Sequence, residues 1–248
     1  MTQDILVLNT RPERQAKPLT NKITRLGAKV IECPSLKIIG LDRDVEKINK
    51  TKFKNDDVII FTSANAVYFY FKKSMSNIKQ NTVIAIGPAT QAALLERKIY
   101  AICPKTFNSS GILKMTELRE NKNITIITGY NPKKQLHSCL QETGHKVTLI
   151  EAYKRIINND SITKIKNITK LDYILISSRD SLIALNQLII ESGKIELKTA
   201  AIITINIDVR KLAIKLGFND NIIVSKDATD ASLENCIKEI IDHNKLKD

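Results

Sequence analysis

"FTSANAV", residues Phe61–Val67, carries the main clue to how this chain is built. An apolar run, "VIIF", ends abruptly at Thr62, Ser63 and Asn65, and an apolar pattern resumes with "VYFYF". Nearly the same handover occurs at "ISSRDSL", Ile176–Leu182. Small hydrogen-bonding residues suit a junction where a buried strand passes into a helix. A serine hydroxyl there accepts from first-turn N–H groups that lack an intrahelical partner. Ser63 and Ser178 hold equivalent places, and Asn65 corresponds to Asp180. Ligands of open parallel sheets gather at the carboxyl ends of strands, and helix starts offer donors and partial positive charge to anions. The doubled motif predicts ligand contact as well as capping.

Outward from these junctions, short apolar runs alternate with amphipathic segments along the whole chain. "ILVLNT" precedes a segment in which Leu19, Ile23 and Leu26 keep helical spacing up to Gly27, and "KVIECP" follows as a strand. "TVIAIG", "ITIITG" and "KVTLIEAY" repeat the habit in the middle of the chain, and "YILISS", "TAAIITI" and "NIIVS" in its last third. Such alternation predicts α/β architecture with parallel sheets. There is also an internal echo. "RLGAKVIECP" resembles "ETGHKVTLIEAY", with Gly27 answering Gly144, and "GPATQAALLERKI" resembles "NIDVRKLAIKLGF", all at nearly one offset. Two related halves are expected. Extended segments at "SLKIIGL" and "IEAYKRII" would pair as a two-stranded linker. The expected organisation is an outer domain of residues 1–33 plus 158–248, an inserted domain of 40–150, and linker strands 34–39 and 151–157. Two chain crossings of this kind imply a hinge and a cleft between the lobes.

Composition narrows the partners. The 248 residues carry a net charge of +13 with 43% apolar content, enough for real cores and an anionic ligand. The lysines are dispersed and no basic run is interleaved with aromatics, which argues against nucleic acid and for a polyanionic small molecule. No apolar stretch is long enough to cross a bilayer. The start "MTQDILVLNT" lacks the pattern of a signal peptide, so the cytosol is the expected compartment. Cys33, Cys103, Cys139 and Cys236 are scattered, and His137, His145 and His243 share no ligand spacing. These patterns point to buried thiols and no metal site. Neither a Walker loop nor a G-x-G-x-x-G fingerprint is present.

"AIGPAT" supplies a second candidate anion site. Gly87 is expected to permit a tight turn, Pro88 to open a helix, and the N–H groups of Ala89, Thr90 and Gln91 to point outward. "TGYNPKKQL" adds Gly129 at a strand end, with Lys133 and Lys134 at the next helix start.

Together, "TRP" after the first strand, "FTSANAV", "AIGPAT", the glycine of "TGYNPKKQL" and the tyrosine of "IEAYKR" resemble the uroporphyrinogen-III synthase family, in order and across essentially the whole chain. The resemblance implies two related α/β lobes, each a parallel sheet flanked by helices, joined by a two-stranded linker. It implies a cytosolic monomer that needs no cofactor or metal, binds no nucleic acid or membrane, and acts in tetrapyrrole synthesis. The substrate would be hydroxymethylbilane, a linear tetrapyrrole with an acetate and a propionate on every ring. The enzyme would promote loss of its terminal hydroxyl, invert the last ring and close the macrocycle. On the same resemblance, Tyr153 is the candidate proton donor. Arg11, Thr62, Ser63, Asn65, Thr90, Ser177 and Ser178 are candidate substrate ligands, joined by Gly129 and Lys133 from the reading of the strand end. The departure lies at Ile205, Asn206, Ile207 and Asp208, where family members carry a "G-P-T-T" type turn. Asp208 is expected to cap the helix there, and its carboxylate to repel an anionic substrate. The alternative is a non-catalytic two-lobed module that binds an anionic metabolite.

Overall fold

Four-residue runs of isoleucine, valine and leucine, each closed by a polar turn, form most of the strands. A computed structural model describes residues 5–41, 53–54, 56–74, 76–227 and 229–245. Residues 42–52, part of the expected inserted domain, lie outside the described residues. In chain order the elements are β1 (Leu6–Asn9), α1 (Glu13–Arg25), β2 (Lys29–Glu32), β3 (Leu36–Gly40), β4 (Val58–Phe61), α2 (Ala64–Phe71), β5 (Thr82–Ala85), α3 (Pro88–Leu95) and α4 (Ser109–Ile112). They continue as β6 (Asn123–Gly129), α5 (Gln135–Glu142), β7 (Lys146–Ile157), α6 (Ser161–Lys166), β8 (Tyr173–Ile176) and α7 (Arg179–Ser192). The last are β9 (Ala201–Thr204), α8 (Ile207–Lys215), β10 (Ile222–Val224) and α9 (Asp230–Lys245).

The chain divides into two compact units, one of Met1–Lys37 with Ile156–Asp248 and one of Ile38–Arg155. The first unit holds a sheet in the order β10-β9-β8-β1-β2, with every pair parallel. The second holds the order β3-β7-β6-β4-β5, parallel from β7 to β5. A single parallel bridge from Ile84 to Ile102 extends that sheet where β10 extends the other. β3 lies at the edge beside β7. Leu41 N–H donates to the Ala152 carbonyl and Asn158 N–H to that of Ser35, so these two strands run in opposite directions.

Both sheets share one topology. In the first unit β1 and β2 come first in the chain and β8 to β10 later. In the second β4 and β5 come first, and β6 and β7, which hold the places of β1 and β2, come last. Each sheet reverses its strand order between two central strands, β1 and β8 in one unit, β6 and β4 in the other. Such switch points leave a crevice at the carboxyl ends of the strands. Strands buried on both faces read as continuous apolar runs, and all four residues of β4 and of β9 are buried. Phe61, Ile59 and Ile127 pack on one face of the second sheet with α2, while Val58, Ile60 and Ile126 pack on the other with Leu136 and Leu140 of α5.

The echoing glycines have one conformational job. Gly27 (φ +99°) and Gly144 (φ +89°) both stand between a helix and the strand it feeds, β2 or β7. Side-chain-bearing residues pay about 1–2 kcal/mol for this left-handed backbone. Gly27→Ala and Gly144→Ala are each expected to lower stability by about that amount, measured by urea denaturation. Unchanged midpoints would contradict the assignment.

Candidate active site

The switch point of the second unit is built from the ends of β4, β6 and β7. Just past Phe61, Thr62 N–H donates to the Ile127 carbonyl at 3.1 Å. The Thr62 hydroxyl donates to Thr128 Oγ1 at 2.9 Å, stitching the ends of β4 and β6 together. Ser63 then turns into extended backbone (φ −171°, ψ 159°) and caps α2, its Oγ accepting from Ala66 N–H at 3.0 Å. The first-turn N–H groups of Ala64 and Asn65 are the remaining helix-start donors there.

Tyr153 is brought to this spot by an irregularity in β7. Thr128 pairs with Glu151, but Gly129 pairs with Tyr153, so Ala152 is an extra residue in a β-bulge. Alternation along a strand would send Ala152 and Tyr153 to opposite faces. The bulge re-aims the second residue, and both join the apolar cluster of Phe61, Phe69 and Ile127. The Tyr153 ring stacks on Phe69 with centroids 5.9 Å apart and is 4% exposed. Its other neighbour is bare backbone: a Cβ on Gly129 would lie 2.9 Å from Tyr153 Cζ. The Tyr153 hydroxyl lies 3.0 Å from Ser63 Oγ. The Arg155 guanidinium carbon sits 5.8 Å from the ring centroid and adds positive charge nearby. The backbone of Tyr153 is held too, since its carbonyl accepts from Tyr130 N–H at 2.7 Å.

At α3, Gly87 caps the helix and Pro88 opens it. Two details differ from the sequence expectation. Gly87 is in extended backbone (φ −173°) that any residue adopts. Its lack of a side chain instead leaves room for Phe107, whose Cβ would lie 3.3 Å from an added Cβ. The N–H groups of Thr90 and Gln91 both donate to the Gly87 carbonyl at 3.0 Å, which leaves Ala89 N–H as the outward donor. Thr90 is 3% exposed, beneath the exposed Pro88 and Ala89. In the loop after β6, Asn131 adopts φ +51° and donates its N–H to Glu151 Oε1 at 2.7 Å. Lys133 and Lys134 beyond it are exposed.

The first unit shows the same logic at its own switch point. The Thr10 hydroxyl donates to the Leu175 carbonyl at 2.6 Å, joining the end of β1 to β8. Arg11 is ion-paired with Asp230 at the start of α9. Ser178 caps α7, accepting from Ser181 N–H at 3.1 Å and donating to Ser181 Oγ at 3.0 Å, and Ser177 is half-buried beside it. The departure from the family turn is resolved differently from expectation. Asn206, not Asp208, caps α8, its Oδ1 accepting from Asp208 N–H at 2.7 Å. The helix begins at Ile207, which puts Asn206 at the cap position and Asp208 in the first helical turn.

Thr62, Ser63, Gly129 and Tyr153 therefore converge within one unit, with Asn65 on the same helix start. Thr128, Phe69 and Arg155 were not singled out by sequence reasoning. Phe69 belongs to an aromatic run that read only as core, and the other two carry no local signal. A polar hollow of about 410 Å³ lies at the opposite, amino end of this sheet, lined by Asp56, Glu117, Arg119, Glu120 and Lys122 among others. Its three carboxylates make it a poor receptacle for a polyanion. Of the thiols expected to be buried, only Cys33 is, while Cys103, Cys139 and Cys236 are partly exposed; desolvation still pushes Cys33, Cys103 and Cys236 up from their ordinary range. Among the described residues no group of three or more His, Cys, Asp or Glu could hold a metal ion, and no helix is long and apolar enough to cross a membrane.

Comparison with known proteins identifies the fold and the family. A mutant uroporphyrinogen III synthase from the extremely thermophilic bacterium Thermus thermophilus shares the fold, with a TM-score of 0.59 at 12% identity over 98% of this chain and 100% of that one. Uroporphyrinogen-III synthetase from Helicobacter pylori does so with a TM-score of 0.64 at 12% identity over 96% and 100%. No curated protein sequence matches the chain. The family model described as uroporphyrinogen-III synthase HemD matches residues 17–234, and the chain belongs to the uroporphyrinogen-III synthase family, the cyclising lyases of haem biosynthesis.

Proposed function

We propose that the chain closes hydroxymethylbilane into uroporphyrinogen III with Tyr153 as the proton donor to the departing hydroxyl. The observation that carries this assignment is the bulge in β7, which holds the Tyr153 hydroxyl beside the capped start of α2. A phenol fixed there can give its proton to the terminal hydroxyl as the carbon–oxygen bond breaks and water leaves. The rest of the task is positioning. A flexible polyanion must be bent until its ends meet, and effective molarity supplies much of the barrier reduction once it is. Asn65 and the helix-start amides of Ala64 and Ala89 supply donors for substrate carboxylates, Thr62 and Thr90 brace the strand and helix ends behind them, and Lys133 adds charge at the next strand end. The net charge of +13 favours capture of such a substrate. On this reading the chain works as a cytosolic monomer without a cofactor.

The direct test is incubation with freshly prepared hydroxymethylbilane followed by separation of the isomers. Uroporphyrinogen III should form in proportion to enzyme. Only the isomer with the last ring unturned, at every enzyme concentration, would refute the activity. Tyr153→Phe is expected to lower kcat by about 10²- to 10⁴-fold with little change in KM, and equal kcat values would remove Tyr153 from the chemistry. Gly129→Ala tests the placement independently. The added methyl must displace the ring, so kcat should fall by about 100-fold and stability by about 1–3 kcal/mol. Wild-type turnover in this variant would show that the close approach does not matter.

A further inference from the structure

Ser63 was read from the sequence as a ligand for substrate carboxylates, but its hydroxyl already has two neighbours. A serine hydroxyl has one proton to donate and two lone pairs. One lone pair is occupied by Ala66 N–H at 3.0 Å, and the other close partner is the Tyr153 hydroxyl at 3.0 Å. Two arrangements satisfy this pair of hydroxyls. If Tyr153 donates to Ser63, the phenol proton is directed away from any substrate. If Ser63 donates to Tyr153, the phenol proton is free to point outward, and the tyrosine oxygen already holds a hydrogen bond where negative charge will develop.

The geometry points to the second arrangement as the working one: Ser63 is a positioning residue that holds the Tyr153 oxygen and donates to it as the phenol proton departs. This inference rests on the reading of Tyr153 as proton donor. The step balances as follows. The Tyr153 proton passes to the oxygen of the terminal hydroxyl, and the carbon–oxygen bond breaks with its electron pair leaving on water. The carbon becomes an electron-poor centre and negative charge stays on the tyrosine oxygen. Carbon–carbon bond formation later releases a pyrrole proton, which restores the phenol. During the interval the tyrosinate is stabilised by Ser63 O–H, a bond made stronger by the charge it meets. Ser63 itself is anchored by Ala66 N–H at the positive end of α2, so no donor has to reorganise at the moment of reaction. Phe69 on one side and Gly129 on the other keep the ring from swinging off this partner.

Capping and positioning can be separated by choice of variant. Glycine replaces serine at a helix cap at a cost of only a few tenths of a kcal/mol, so Ser63→Gly should keep α2 and remove the bond to Tyr153. We expect Ser63→Gly to lower kcat by about 10- to 100-fold with KM changed by less than about twofold. Ser63→Thr, which retains both the cap and the hydroxyl, should recover most of the loss. In a Tyr153→Phe background, Ser63→Gly should cost less than about a further twofold, because its partner is already gone. A raised KM with kcat unchanged, or the same fold-loss in both backgrounds, would overturn the inference and return Ser63 to the substrate's carboxylates. An unaffected Tyr153→Phe variant would instead overturn the proton-donor reading beneath it, so the two failures are distinguishable.

Discussion

The phenol end of Tyr153 lies against the bare backbone of Gly129, and the rest of the site follows from that contact. One extra residue in β7, Ala152, turns the tyrosine toward α2 when regular alternation would turn it away. The missing side chain at Gly129 lets the ring come within van der Waals distance of the neighbouring strand. Phe69 stacks on the ring, and the hydroxyl is delivered to the cap of α2. A phenol held on three sides has little rotational freedom left to lose on binding, which is how a buried side chain can act with geometric economy.

The two units share their topology but differ at the strand corresponding to β7. In the first unit that place belongs to β2, which ends at Glu32, and the chain continues through Cys33, Pro34 and Ser35. No phenol stands there. Ser35 donates instead to the Ser181 carbonyl at 3.0 Å and Cys33 is fully buried. Both units thus keep the hydroxyl-lined switch point, as the pairs Thr62–Thr128 and Thr10–Leu175 show. Only the inserted unit extends its strand far enough to bring a tyrosine to it. The duplicated architecture supplies two helix-start surfaces of similar chemistry and, at one of them, a buried phenol.

Much of this was readable from residues alone. The periodicity of the apolar runs gave the alternating elements, and the serine caps at Ser63 and Ser178 were visible because a capping hydroxyl must sit directly before the helix it serves. Gly27 and Gly144 marked the two equivalent helix-to-strand turns. What escaped the sequence depends on contacts between distant residues. A bulge has no local signature, so nothing in "IEAYKR" foretold that Tyr153 would face Ser63. The Gln91 N–H is the first i→i−4 donor of a helix capped at Gly87, and Thr90 N–H joins it on the same carbonyl, so the outward set is smaller than the sequence suggested. Asn206 and Asp208 are both good caps, and only the position at which the helix begins selects the first.

Amide hydrogen exchange with the product uroporphyrinogen III bound would locate the tetrapyrrole site in the fold most directly. Slowed exchange at residues 62–66 and 129–131, the carboxyl ends of β4 and β6, is the expected result. Protection confined to the opposite end of the sheet, around Asp56 and Lys122, with residues 62–66 unchanged, would contradict a site organised by Tyr153 and Gly129.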